Sequence, residues 1–149
     1  MISYFHSKQG KFKNCEDSLT AVIFDTLKYL PTELFWNILK ASLYQDKLPH
    51  ASGDLISISF WDKWNSLNTN NRNFVEPDVF LRFHDFDIIV EAKRRDKKQQ
   101  NRGQVEKEII AYSNEFTKDN KTLFFIKLGG LHSTTNEENF VYNNKEIII

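Results

Sequence analysis

The chain has 149 residues, with 20 basic and 20 acidic side chains, no net charge, 40% hydrophobic and 14% aromatic residues. That size suits one domain over 1–149, able to bury roughly two-thirds of the surface its unfolded chain exposes, so neither a disulfide nor a structural metal is required. Neutrality excludes bulk attraction to nucleic acid, and the single cysteine, Cys15, excludes an internal disulfide or a multi-cysteine zinc site. With no secretory leader after Met1 and no run near the ~20 apolar residues of a membrane helix, a cytoplasmic protein with no membrane partner is expected.

In chain order, Asn14 is a candidate cap for a first helix, with Asp17 three residues on and Leu19, Ile23, Leu27 and Leu30 as its apolar stripe. Pro31 ends it. A second helix is predicted from 32 to about 45, around Phe35, Leu39 and Leu43. Over 55–61, Ile56, Ile58 and Phe60 alternate with Ser57, Ser59 and Trp61, the period of a half-buried strand. An Asn-rich loop follows over 62–73. Trp61, Trp64 and Phe60 read as core aromatics, with base stacking the rarer use of such a cluster.

Two strand-like runs, 77–83 and 86–93, stand close enough to form a hairpin with His84-Asp85 at its tip. Asn101 is placed to cap a third helix with the stripe Val105, Ile109, Tyr112 and Phe116, and Gln104 to close its capping box. The run 123–126 is a strand covered on both faces, ended by a Gly129-Gly130 turn, and 140–149 reads as further strand. This order predicts an α/β sandwich: a mixed central sheet with an antiparallel hairpin, flanked by helices, in which the strand after the third helix returns parallel.

The chemistry concentrates in the hairpin. With a two- or four-residue tip, Asp78 falls directly opposite Glu91, on the same sheet face, where like charges about 4.5–5.5 Å apart repel and call for a cation. Period-two geometry brings Lys93 to the Glu91 face, while Ala92 points away and leaves its carbonyl beside the site. Two carboxylates and a carbonyl suit a hard divalent ion such as Mg²⁺. Solvated acids on an open face are the plainer alternative. Phe80 and Ile89 on that face argue against it, because both sides of the hairpin then carry large apolar residues.

Pro77-Asp78, twelve intervening residues and Glu91-Ala92-Lys93 resemble the PD-(D/E)xK nuclease superfamily, the restriction-endonuclease-like fold. The likeness spans roughly 14–128. It implies Asp78 and Glu91 as metal ligands with the Ala92 carbonyl assisting, Lys93 as the catalytic lysine, and Glu16 as the acidic residue many members carry on their first helix. Matching of the helix dipole is an equal alternative for Glu16, and capping the better role for Asp17. Gln104 resembles a glutamine that some members place early in the helix after the lysine. A tyrosine often follows it by four residues there, whereas this chain has Glu108 and brings Tyr112 only a turn later.

Between Lys93 and Arg102 there are six basic side chains against Asp96 alone, a local charge of +5. Arg94, Arg95, Lys97, Lys98 and Arg102, with Gln104, are the candidate nucleic-acid contacts, supplying salt-dependent and largely sequence-independent affinity for phosphate. A solvated charge run is the alternative. The expected function is a Mg²⁺-dependent DNA endonuclease, with Mn²⁺ able to substitute, in a defence, restriction or mobile-element setting. RNA remains an alternative substrate, and a catalytically inactive nucleic-acid-binding or assembly subunit an alternative function. Double-strand cutting would need two sites, hence a homodimer or partner subunit. Cys15 and the histidines lack the flanking pattern of a nucleophile pair.

Overall fold

The computed structural model describes residues 3–4, 15–93, 100–130, 139–142 and 145–148. Among the described residues three α-helices, α1 (Glu16–Leu27), α2 (Thr32–Ala41) and α3 (Arg102–Phe116), are bounded, and they accompany eight strands: β1 (Leu55–Phe60), β2 (Trp64–Asn65), β3 (Phe74–Val75), β4 (Val79–Phe83), β5 (Phe86–Ala92), β6 (Thr122–Leu128), β7 (Asn139–Tyr142) and β8 (Lys145–Ile148). Six form one mixed sheet in the order β1-β4-β5-β6-β8-β7. Strands β1, β4 and β5 run antiparallel, β5, β6 and β8 parallel, and β7 antiparallel to β8. The protein is thus a mixed α/β structure, and among the described residues no helix is long and apolar enough to cross a membrane.

Helices lie against both sheet faces. Val79, Leu81, Phe83, Ile88 and Val90 pack with Phe24 of α1 and with Phe35, Trp36 and Leu39 of α2. Phe80, Ile89, Leu123 and Phe125 pack with Val105, Ile109 and Tyr112 of α3. Strand β5 is therefore buried along its whole length, Asp87 and Glu91 included.

Four local expectations need correction. The expected cap, Asn14, lies outside the described residues; Cys15 is the N-cap of α1, its N–H donating to the Ser18 hydroxyl (3.2 Å), which donates back to the Cys15 carbonyl (2.9 Å). Only the second half of the expected stripe faces the core: Leu27 and Leu30 pack against it, whereas Leu19 is 53% and Ile23 39% exposed and Ala21 and Phe24 are buried in their place. The ring of Phe24 carries more apolar area inward than Leu19 could. Asp25, turned inward beside it, is satisfied by the Ser3 N–H, the Ser3 hydroxyl and the Lys28 ammonium.

Helix α2 stops at Ala41, short of the expected end, where the Ser42 hydroxyl donates to the Leu39 carbonyl (2.7 Å) and competes with further helical bonding. The segment 62–73, expected as loop, contains β2, which pairs with β3. This small ribbon buries Trp64 and Val75 and is tied to α3, whose Asn114 amide donates to the Asn65 and Leu67 carbonyls.

Candidate active site

The β4–β5 pairing runs Val79↔Val90, Phe80↔Ile89, Leu81↔Ile88 and Arg82↔Asp87. Asp78 immediately precedes β4, and continuing this register by one step sets it across from Glu91. The Ala92 N–H donates to Asp78 Oδ2 (2.9 Å) and the Trp61 indole N–H to Oδ1 (3.3 Å). The Lys93 ammonium donates to Glu91 Oε1, lies 3.2 Å from the Ala92 carbonyl and pairs with Glu16 Oε1 at 3.5 Å. Asp78, Glu91, Ala92, Lys93 and Glu16 thus come together as one cluster.

Helix α3 adds two groups. The Gln104 amide donates to Glu91 Oε1 (2.6 Å) and to Glu108 Oε1 (3.1 Å), so its side chain serves the cluster and not the expected capping box. Asn101 does cap α3, accepting from the Gly103 N–H (2.8 Å). Spacing explains the match: residues 87 and 91 lie about 13 Å apart along β5, and residues 104 and 112 about 12 Å apart along α3. Gln104 and Glu108 therefore meet Glu91, while the Tyr112 hydroxyl reaches Asp87 at the other end of the strand (2.9 Å).

The far wall is closed by Gln100, whose amide donates to the carbonyls of Glu91 and Gly129, each at 3.1 Å. Gly129 has φ +71°, and a Cβ there would overlap the Lys93 carbonyl oxygen. The Gly129-Gly130 turn thus ends β6 and lets the backbone pass close to Lys93.

Electrostatics mark the cluster as short of positive charge. Burial, then the charge of Glu91, push the Asp78 carboxyl up to about 7, although the Ala92 N–H works the other way. Burial, then the charge of Glu91 and a hydrogen bond to it, raise the Glu108 carboxyl well above its ordinary value. Glu91 Oε2 and Glu108 Oε2 have no other hydrogen-bond partner among the described residues. Burial opposes the charge on Lys93, but the hydrogen bond and charge of Glu91, with Asp78 and Glu16, outweigh it and keep the ammonium protonated above its usual range.

These residues fit a hard divalent cation. Each Asp78 oxygen accepts a single N–H and keeps a lone pair, Glu91 offers Oε2, and the Ala92 carbonyl is adjacent. Among the described residues no three His, Cys, Asp or Glu side chains form a ready metal cluster, so a carbonyl and water would complete the set. Without a cation, folded Asp78 holds its proton to about pH 7, whereas the unfolded chain releases it near 3.8. The native state then binds more protons between those values, and its stability falls as pH rises through that window. Urea unfolding in chelator at pH 4 to 7 should show this decline, with a shallower slope for Asp78→Asn.

The expected nucleic-acid contacts Arg94, Arg95, Lys97 and Lys98 lie outside the described residues. Arg102 is not part of the cluster: its exposed side chain pairs with Glu106 (3.2 Å) one turn on. His84 sits exposed at the hairpin tip against Asp85, about 20 Å of strand from Asp78. Glu108, Trp61 and Gln100 were not foreseen. The available signal was two polar residues, Gln104 and Glu108, four apart and bordering the apolar stripe of α3.

No family model and no solved structure matches the chain. An uncharacterized protein of Pasteurella multocida strain Pm70, PM0110, is 38% identical over 128 residues, covering 85% of this chain and 46% of that protein. The chain therefore spans about half the length of the curated relative it matches, whose name assigns no activity.

Proposed function

We propose that this domain is a metal-dependent DNA endonuclease of the PD-(D/E)xK type, with a restriction-endonuclease-like sandwich, hydrolysing phosphodiester bonds in the cytoplasm. The observation that carries the proposal is the gathering of Asp78, bonded to the Ala92 N–H, beside Glu91, with the Lys93 ammonium held against Glu91 Oε1. Asp78, Glu91 and the Ala92 carbonyl would hold Mg²⁺ or Mn²⁺, with Glu16 at the margin. When bound, the ion lowers the pKa of a coordinated water and neutralises charge on a phosphoryl oxygen.

The chain's own groups do the rest. Lys93, protonated and tethered by Glu91 and Glu16, orients the attacking water and stabilises the negative charge that develops on the phosphate. Gln104 holds the Glu91 carboxylate in place from α3. Arg94, Arg95, Lys97, Lys98 and Arg102 are the candidate sources of positive charge for binding the DNA backbone. Paired cuts in duplex DNA would come from a homodimer or a partner subunit.

Plasmid incubated with the protein and Mg²⁺ or Mn²⁺ should be cleaved, chelator should stop the reaction, and Glu91→Ala should be inactive. Equal cleavage by Glu91→Ala would refute the assignment. Salt-sensitive DNA retention with no metal-dependent cleavage would identify an inactive nucleic-acid-binding or assembly subunit instead, and cleavage of RNA alone would change the substrate.

A further inference from the structure

Strand β1 ends at Phe60, and simple alternation would send Trp61 to the opposite side of the sheet. Instead Phe60 and Trp61 are both buried in the same core cluster, with Trp61 at φ +52°. A bulky residue in the left-handed region is strained and persists only where its surroundings over-determine it. Here the Trp61 backbone N–H donates to the Pro77 carbonyl (3.1 Å), and its ring packs edge-on to Tyr4 and beside Phe60. Pro77 immediately precedes Asp78, so one backbone bond fixes both ends of the indole-to-carboxylate contact.

We propose that Trp61 is a positioning residue for Asp78: its indole N–H, turned by the left-handed backbone, holds the carboxylate in the orientation that receives a divalent cation. This rests on the nuclease reading of the site. The Trp61 indole N–H fixes Oδ1 and the Ala92 backbone N–H fixes Oδ2, from the chain segments on either side of β4, so the carboxylate cannot rotate without losing a bond. An indole N–H only donates, so it orients Asp78 without competing for the cation. Partners that orient metal-binding groups in this way are typically worth roughly 10–100-fold in metal affinity or activity.

The test is calorimetric titration of Mn²⁺ into the full chain, with urea unfolding alongside. It compares the unaltered protein with Trp61→Phe and with a form carrying β-(3-benzothienyl)alanine at position 61, which keeps the two-ring shape and replaces N–H by sulfur. Both forms should bind Mn²⁺ about tenfold more weakly or worse. The benzothienyl form should unfold at the same urea concentration as the unaltered protein. Added to Asp78→Asn, neither change should weaken binding further, since the group being positioned is already altered. Unchanged Mn²⁺ affinity in the folded benzothienyl form would overturn the positioning role while leaving the nuclease reading intact. Absence of Mn²⁺ uptake by the unaltered protein would overturn both.

Discussion

Lys93→Met should lower metal-dependent phosphodiester cleavage by roughly 10²–10³-fold, the usual cost of removing one preorganised group that stabilises transition-state charge. Mn²⁺ affinity should hold or rise, because an ammonium competing for the same carboxylates is gone. The substitution keeps the side-chain stem and removes the charge that Glu91, Asp78 and Glu16 together hold above its ordinary range. Glu91 is 1% exposed, so in chelator the variant should also lose stability from an uncompensated buried carboxylate, and saturating Mg²⁺ should restore it. Single-turnover cleavage with calorimetry separates these effects. Cleavage within about threefold of the unaltered protein would remove Lys93 from the chemistry, since one lost charge-stabilising contact costs far more.

The second large effect is on folding. Asp87→Ala should destabilise the protein by about 3 kcal/mol, measured from the urea midpoint, without changing Mn²⁺ affinity. Asp87 is fully buried and accepts from the Tyr112 hydroxyl (2.9 Å), Lys121 Nζ (3.3 Å) and Arg82 Nε (3.4 Å). Its removal leaves the Tyr112 hydroxyl without its acceptor and takes one partner from each of two cations, Arg82 keeping Asp119 and Lys121 keeping the Phe83 carbonyl. The cost lies at the low end for a broken buried pair, because the Arg82 and Lys121 side chains keep 24% and 14% of their exposure and can turn to water. Of a total stability of about 5–15 kcal/mol for a domain, that is a large share. Metal affinity is spared because Asp87 and Glu91 sit at opposite ends of β5.

The hairpin register was legible because a two-residue tip leaves no freedom: once His84-Asp85 turns the chain, every pair is fixed, and Asp78 must meet Glu91. The third helix was legible from Asn101 and the stripe through Val105 and Ile109, and the parallel return of β6 from its continuous apolar run. The face of α1 was not. Leu19 and Ile23 satisfy helical spacing as well as Ala21 and Phe24 do, and only the shape of the partner layer, with Phe35 and Trp36, decides which pair is buried. Strands β2 and β3, two residues each, are shorter than any periodicity window.

At the site, the strand residues followed from alternation, but the helix residues depended on how α3 lies across the sheet. Gln104 made sense as a cap until the matched rises of strand and helix brought it over Glu91. Trp61 is the core aromatic its sequence suggests, but its contact with Asp78 depends on a left-handed turn that leaves no mark on composition or period. Glu108 reads in sequence as an ordinary helical acid, and burial against Glu91 is what makes it part of the cluster.

Anomalous diffraction from a crystal soaked in Mn²⁺ locates the cation directly. A peak within coordination distance of the carboxylates of Asp78 and Glu91, beside the Ala92 carbonyl, is the predicted outcome. A fully occupied Mn²⁺ elsewhere, or none at millimolar concentration with Lys93 still seated on Glu91, would contradict a metal-dependent nuclease.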